Sequence, residues 1–303
     1  MTTTPTLEVF QSLWAMEDLP WAPTGPPPTP WTLTEQLDLL AGHGFAGVVV
    51  DLGARRLAPA AELAPLLRER ELHSAVVAFV RDDAGLDAAL AYAATIGADR
   101  MVLCAQLYTR DLTAAAVTVS RWHRRAAGAG VELQLETHRD TLTNDLRTTV
   151  ALLDELDPSI LLAADLSHFV CANELPDAPD AAVDELITAV LDRSGSLQGR
   201  IATRCQVQIP LGFPMGAVAE PRFRGWWEQG MRAVLGRIAA GTGPRDDTVL
   251  FVTELGTTPY AITDADGREL SDRWAEALEL RTRARQAFAA ALAPAPATEG
   301  NPR

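Results

Sequence analysis

Short apolar runs alternate with longer amphipathic runs from one end of the chain to the other, a pattern that calls for parallel strands joined by crossover helices. The apolar runs predict strands at Leu7–Trp14, Ala46–Asp51, His73–Phe79, Arg100–Cys104, Glu132–Glu136, Ile160–Asp165, Ile201–Cys205 and Val249–Glu254. Helix signals recur between them. Thr32 with Glu35 reads as a capping box ahead of Leu37, Leu39 and Leu40, and Gly42 and Gly44 mark where that helix should end. Eight strand–helix units that close on themselves leave no sheet edge to protect, so the pattern predicts a single (β/α)8 TIM barrel of the α/β class rather than an open doubly wound sheet. Such a barrel takes about 250 residues. The 303-residue chain accommodates it over residues 1–292, with Ala293–Arg303 expected to be a disordered tail containing Pro294, Pro296, Gly300 and Pro302.

Two stretches interrupt the rhythm. Pro20–Pro30 follows the first strand, flanked by Trp14, Trp21 and Trp31, and Gln206–Pro221 follows the seventh with Pro210, Gly212, Pro214 and Gly216. Loops after barrel strands overhang the active face, so each is either a wall or lid of the site or a brace of the barrel mouth.

Composition narrows the chemistry. A formal charge of −14 disfavours nucleic acid as a partner, because a protein that binds phosphate backbones displays a basic stripe. The chain has no lysine, so Schiff-base aldolase and pyridoxal-phosphate chemistry are excluded. Gly42, Gly44 and Gly47 do not form a phosphate-binding turn between strand and helix, which leaves a dinucleotide cofactor unsupported. Cys104, Cys171 and Cys205 lack metal-ligand spacing and read as free thiols. With no run of 18 to 20 apolar residues and no signal-peptide pattern at Met1–Leu7, the expectation is a cytoplasmic protein without membrane contact. Its partner would be a small molecule; Trp226, Trp227 and Trp274 read as helix core or as an oligomer interface, core packing being the preferred reading.

The chemistry-bearing residues stand where predicted strands end. Glu136 closes the fifth strand, Asp165 the sixth and Glu254 the eighth, and in a barrel such positions converge on one face. Converging carboxylates repel unless they take up protons or a cation, and an all-oxygen set suits Mg or Mn, with Co or Zn if an imidazole joins. His168, three residues past Asp165, is the imidazole placed to join. The alternative for Asp165 is a helix N-cap. His43, His73 and His123 read as structural or solvated.

The segments Glu136-Thr137-His138-Arg139-Asp140-Thr141-Leu142-Thr143-Asn144-Asp145, Asp165-Leu166-Ser167-His168-Phe169-Val170-Cys171 and Thr253-Glu254-Leu255-Gly256-Thr257-Thr258-Pro259-Tyr260 resemble the sugar phosphate isomerase/epimerase family of xylose-isomerase-like barrels. Ser12-Leu13-Trp14 and Gly44-Phe45-Ala46-Gly47-Val48 look like that family's first two strands. The resemblance implies that Glu136, Asp165 and Glu254 hold a divalent metal ion (Mn, Mg, Co or Zn), that Glu136 and Glu254 act as the acid/base pair, and that His168 lies in the active site; Trp14 is a further candidate substrate contact, a tryptophan that would stack on a sugar or simply pack. Where the family carries a His-Ala-Arg pattern on its seventh strand, this chain has Ala202-Thr203-Arg204. Ala202 cannot bind metal. Arg204 would then hold a substrate oxygen or pair with the site carboxylates, and Gln206 or Gln208 would offer an amide oxygen to the metal.

The implied activity is isomerisation or epimerisation of a sugar or related hydroxy-carbonyl compound through an enediolate. A lyase or hydrolase reaction, or ligand binding without catalysis, is the alternative that Ala202 raises. An apurinic endonuclease of the same superfamily is disfavoured by the acidic charge and by the few histidines at strand ends.

Overall fold

The computed structural model describes residues 4–294. Its strands are β1 (Thr6–Ser12), β2 (Gly47–Asp51), β3 (His73–Val80), β4 (Arg100–Ala105), β5 (Glu132–Glu136), β6 (Leu162–Ala164), β7 (Ser194–Gly199) and β8 (Thr248–Thr253). Each pairs in parallel with its neighbours in sequence, and β1 closes the ring on β8 from Thr6 opposite Thr248 to Gln11 opposite Thr253. The helices α1 (Leu33–Gly42), α2 (Ala60–Glu69), α3 (Asp83–Ile96), α4 (Leu112–Gly128), α5 (Leu146–Glu155), α6 (Leu166–Ala172), α7 (Ala181–Asp192), α8 (Ala219–Ala239) and α9 (Arg273–Leu292) occupy the connections and the end of the described chain, two of them between β6 and β7. The predicted single barrel is therefore the fold.

Strand side chains alternate between two apolar layers because successive residues point to opposite faces. Val48, Val50, Val76, Leu103, Leu135 and Phe251 pack outward against the helices. Phe10, Val49, Val77, Val102, Ala163 and Val252 fill the inside of the barrel. Burial on both faces is why most strands read as continuous apolar runs. The capping box forms as predicted: Thr32 N–H donates to Glu35 Oε2 at 2.8 Å, and Glu35 N–H to Thr32 Oγ1 at 3.3 Å. Trp226 and Trp227 are buried, and Trp274 packs edge-on against Trp31 and His43, so all three belong to the packing of this chain.

One strand is not where the apolar pattern put it. The predicted seventh strand, Ile201–Cys205, is a turn closed by Thr203 and Gln206, and β7 is the preceding Ser194–Gly199. Its sequence hides it, since Leu197 is its one large apolar residue. Small residues are needed here: a Cβ on Gly195 would lie 2.7 Å from the Gln134 amide nitrogen, and one on Gly199 would lie 2.5 Å from the Phe251 ring. The other strands fall within two residues of their predicted bounds.

Both proline-rich loops are bonded to the segment between β8 and α9. Trp21 Nε1 donates to the Glu269 carbonyl at 2.8 Å, and Arg268 donates to the carbonyls of Pro23 and Gly25 at 3.0 and 2.8 Å. In the second loop, Gln208 exchanges two hydrogen bonds with the Gly256 backbone, and Leu211 N–H donates to Glu276 at 2.6 Å. These bonds brace the barrel mouth. Among the described residues no helix is long and apolar enough to cross a membrane. Most of the predicted tail, from residue 295 on, lies outside the described residues.

Candidate active site

Strand alternation sets the site. Glu136, Asp165, Arg200 and Glu254 each lie two residues beyond the inward-facing Gln134, Ala163, Gln198 and Val252, on the four consecutive strand ends β5 to β8. Gln198 is level with Val252 and Gly199 with Thr253, which puts Arg200 beside Glu254. The result is one buried tier with three acids and one base. Glu136, Asp165 and Glu254 each offer a carboxylate oxygen within 4.8 Å of the other two. The Arg200 guanidinium reaches Glu254 Oε1 at 3.3 Å and Asp165 Oδ2 at 3.6 Å. Its Nε also donates to the Glu254 carbonyl at 3.0 Å, and its Cζ stands 4.8 Å from the centre of the Tyr260 ring.

Asp165 has two tasks. Oδ1 accepts from Ser167 N–H at 2.9 Å and caps α6, while Oδ2 is buried without a hydrogen-bond partner. Glu254 Oε2 is likewise buried and unpartnered. Glu136 Oε2 accepts from the Cys104 thiol at 2.8 Å. Two buried carboxylate oxygens without hydrogen bonds, Asp165 Oδ2 in ion-pair range of Arg200 and Glu254 Oε2, lie beside a third carboxylate and fit a hard divalent cation in donor type.

Proton affinities follow from this crowding. Burial, then the Glu254 charge, holds Glu136 well above the usual carboxylate range. Burial likewise raises Asp165, against the pull of Arg200, and lifts Glu254 to about 8. Burial alone would lower Arg200, but the Asp165 and Glu254 charges outweigh it and keep the guanidinium charged. The same burial pushes the Cys104 thiol well up, with the Glu136 charge adding to it.

Two imidazoles complete the wall. The rings of His138 and His168 stack with centres 3.9 Å apart, and burial lowers both, His138 to about 4. His138 Nδ1 bonds the Arg139 carbonyl, which places the proton of the neutral ring there and leaves Nε2 as an acceptor. His168 Nε2 lies 3.4 Å from both Arg200 Nη1 and Asp165 Oδ2, and its Nδ1 is buried with no partner. Glu136, His138 and His168 form a second set with ligand atoms within 4.8 Å of one another. Trp14 meets Tyr260 edge-on at 5.1 Å, and only a glycine fits at 256, because a Cβ there would overlap the Trp14 ring.

The structure thus gathers Glu136, Asp165, Glu254, His168 and Trp14 at one end of the barrel. It does not bring in Arg204 or Gln206. Arg204 is half exposed and pairs with Glu174 at 3.5 Å, and the Gln206 side chain accepts from Thr203 within its own turn. Both follow from the misplaced seventh strand, since Ala202-Thr203-Arg204 lies beyond the strand end, where Arg200 stands. Sequence reasoning assigned no role to Arg200, His138, Tyr260 or Asp51. Asp51 also ends a strand, and with Trp14 and Glu17 it borders a cavity of about 300 Å³. His138 stands two residues past Glu136, the residue that closes the fifth strand.

No family model and no curated protein matches this sequence. Solved structures do resemble the fold. D-allulose 3-epimerase from Methylomonas sp. superposes with a TM-score of 0.59 at 15% identity over 96% of this chain and 100% of that one. The same enzyme in complex with D-allulose gives 0.58 at 16% identity, covering 94% of this chain and 97% of that one. A xylose isomerase-like TIM barrel protein from Mycobacterium smegmatis in complex with magnesium gives 0.57 at 17% identity, covering 95% and 98%. At such identities the likeness establishes the (β/α)8 barrel fold.

Proposed function

We propose that the protein is a divalent-metal-dependent isomerase or epimerase of a sugar or related hydroxy-carbonyl small molecule, acting through an enediolate. The observation that carries the reading is the buried trio Glu136, Asp165 and Glu254, with orphaned oxygens on two of its members. The fold it shares with a D-allulose 3-epimerase and with a magnesium-bound xylose isomerase-like protein supports the same reading. Glu136, Asp165 and Glu254 would hold the ion, which when bound supplies polarisation of the substrate carbonyl and its neighbouring hydroxyl.

The chain's own groups then divide the proton work. One of Glu136 and Glu254 takes the proton from the carbon beside the carbonyl, and the other returns one, which inverts the centre when the two act on opposite faces. The unpartnered Nδ1 of His168 is free to hydrogen-bond a substrate oxygen, and the edge-on Trp14 and Tyr260 rings supply an apolar wall for the carbon chain.

The test is turnover with a panel of ketoses and aldoses in Mg, Mn, Co and Zn for wild type, Glu136→Gln and Glu254→Gln. Each variant should remain folded and lose about a hundredfold or more of kcat, the usual scale for removing a general acid or base. Full activity in both would overturn the acid/base assignment.

A further inference from the structure

The tier formed by β5 to β8 carries a charge pattern that three metal-binding carboxylates alone would not have. Three negative side chains, Glu136, Asp165 and Glu254, surround one positive side chain, Arg200. With Asp51, whose charge reaches Glu254, and Arg139, whose charge reaches Asp165, four negative charges face two positive ones and leave two uncompensated when every group is ionised, and a guanidinium cannot shed its proton to change that count. Arg200 is also anchored. Its side chain is 2% exposed, its Nε is bonded to the Glu254 carbonyl at 3.0 Å, and its Cζ sits 4.8 Å from the Tyr260 ring centre and 5.9 Å from that of Trp14. These contacts hold the charge within 3.6 Å of Asp165 and Glu254, the two acids that keep an orphaned oxygen each. A cation arriving at those oxygens meets a positive charge that is already there.

We propose that Arg200 is a built-in counter-cation of the carboxylate trio: it keeps the site folded when no divalent ion is bound, and it weakens the binding of that ion so that the ion exchanges rather than staples the fold. The inference rests on the metal-site reading given above and concerns the affinity of that site. The physical cause is twofold. Three carboxylates buried together repel unless they take up protons or a cation, and the fixed guanidinium supplies part of that relief when no metal is bound. The same guanidinium repels the incoming ion at short range in a poorly screened interior.

The experiment is Mn titration of metal-stripped protein, following free Mn by its paramagnetic resonance signal, together with melting temperatures in EDTA and in excess Mn. Wild type is compared with Arg200→Met, which removes the charge, and Arg200→Lys, which keeps it. Arg200→Met should bind Mn tenfold or more tightly than wild type, a modest share of the attraction expected between close charges. It should also melt lower than wild type in EDTA and recover more of its melting temperature when Mn is added. Arg200→Lys puts an ammonium beside Asp165 and Glu254 in place of the guanidinium and should bind Mn more weakly than Arg200→Met. If Arg200→Met fails to fold in EDTA, Arg200→Met with Glu254→Gln is compared with Glu254→Gln alone, and the same tenfold ordering is expected. Affinity in Arg200→Met equal to or weaker than wild type, or equal loss in Met and Lys, overturns the inference and leaves the metal site standing. No Mn binding by any of the proteins overturns both.

Discussion

At the scale of single residues, Asp165 separates structure from chemistry within one carboxyl group. Oδ1 caps α6 through Ser167 N–H, and Oδ2 faces the acidic tier. Asp165→Asn keeps an oxygen for the cap and loses the charge, whereas Asp165→Ala loses both. Urea unfolding should find the Asn variant near wild type and the Ala variant about 1 kcal/mol less stable, the usual cost of a lost N-cap. Metal titration should find both variants poor binders; an Asn variant that binds the ion as tightly as wild type would remove Asp165 from the ligand set. The three acids were legible in the sequence because each ends an apolar strand. Arg200 was not, since the residues before it, Ser194 to Gly199, lack the apolar run that marks a strand. His138 stood in the same motif as Glu136 yet passed without a role, because its site partner, His168, is thirty residues away in sequence and adjacent only in space.

At the scale of elements, the mouth of the barrel is held by side chains that tie one connection to the next. Glu276 on α9 accepts from Leu211 N–H in the loop after β7 at 2.6 Å and from Ser271 at 3.0 Å. Burial raises it from 4.5 to about 7, more than those bonds lower it. A folded-state value above the unfolded one means that the fold favours the protonated form. Its contribution to stability is therefore full below about pH 4.5 and is lost as pH rises through about 7. Glu276→Gln removes that dependence, so its stability relative to wild type should improve between pH 5 and pH 8 by on the order of 2 to 3 kcal/mol. Urea midpoints at the two pH values test this, and parallel changes in both proteins would contradict it. Loop lengths and prolines mark where these connections run, but not the hydrogen bonds that brace them. Those bonds join Trp21 to Glu269 and Leu211 to Glu276, pairs far apart in sequence that only the closed barrel brings together.

At the scale of the whole molecule, closure of eight parallel strands explains both what could be read in advance and what could not. Alternation of strand and helix fixes the barrel, and the barrel then decides which strand ends share a tier. With β7 at Ser194–Gly199 and not at the apolar Ile201–Cys205, Arg200 stands at the strand end in place of Ala202 or Arg204, and the fold is unchanged. The same closure places Glu136 and Glu254 across a common tier from strands distant in sequence, which is the basis of the proposed proton exchange. The most direct measurement is deuterium incorporation from heavy water into candidate ketoses, read by proton NMR, with metal-supplemented wild type and the Glu136→Gln and Glu254→Gln variants. The account predicts that wild type, with a turned-over sugar, washes deuterium into the carbon beside the carbonyl, and that both variants slow this by about a hundredfold or more. Interconversion by wild type with no deuterium incorporated, or incorporation unchanged in both variants, would contradict it.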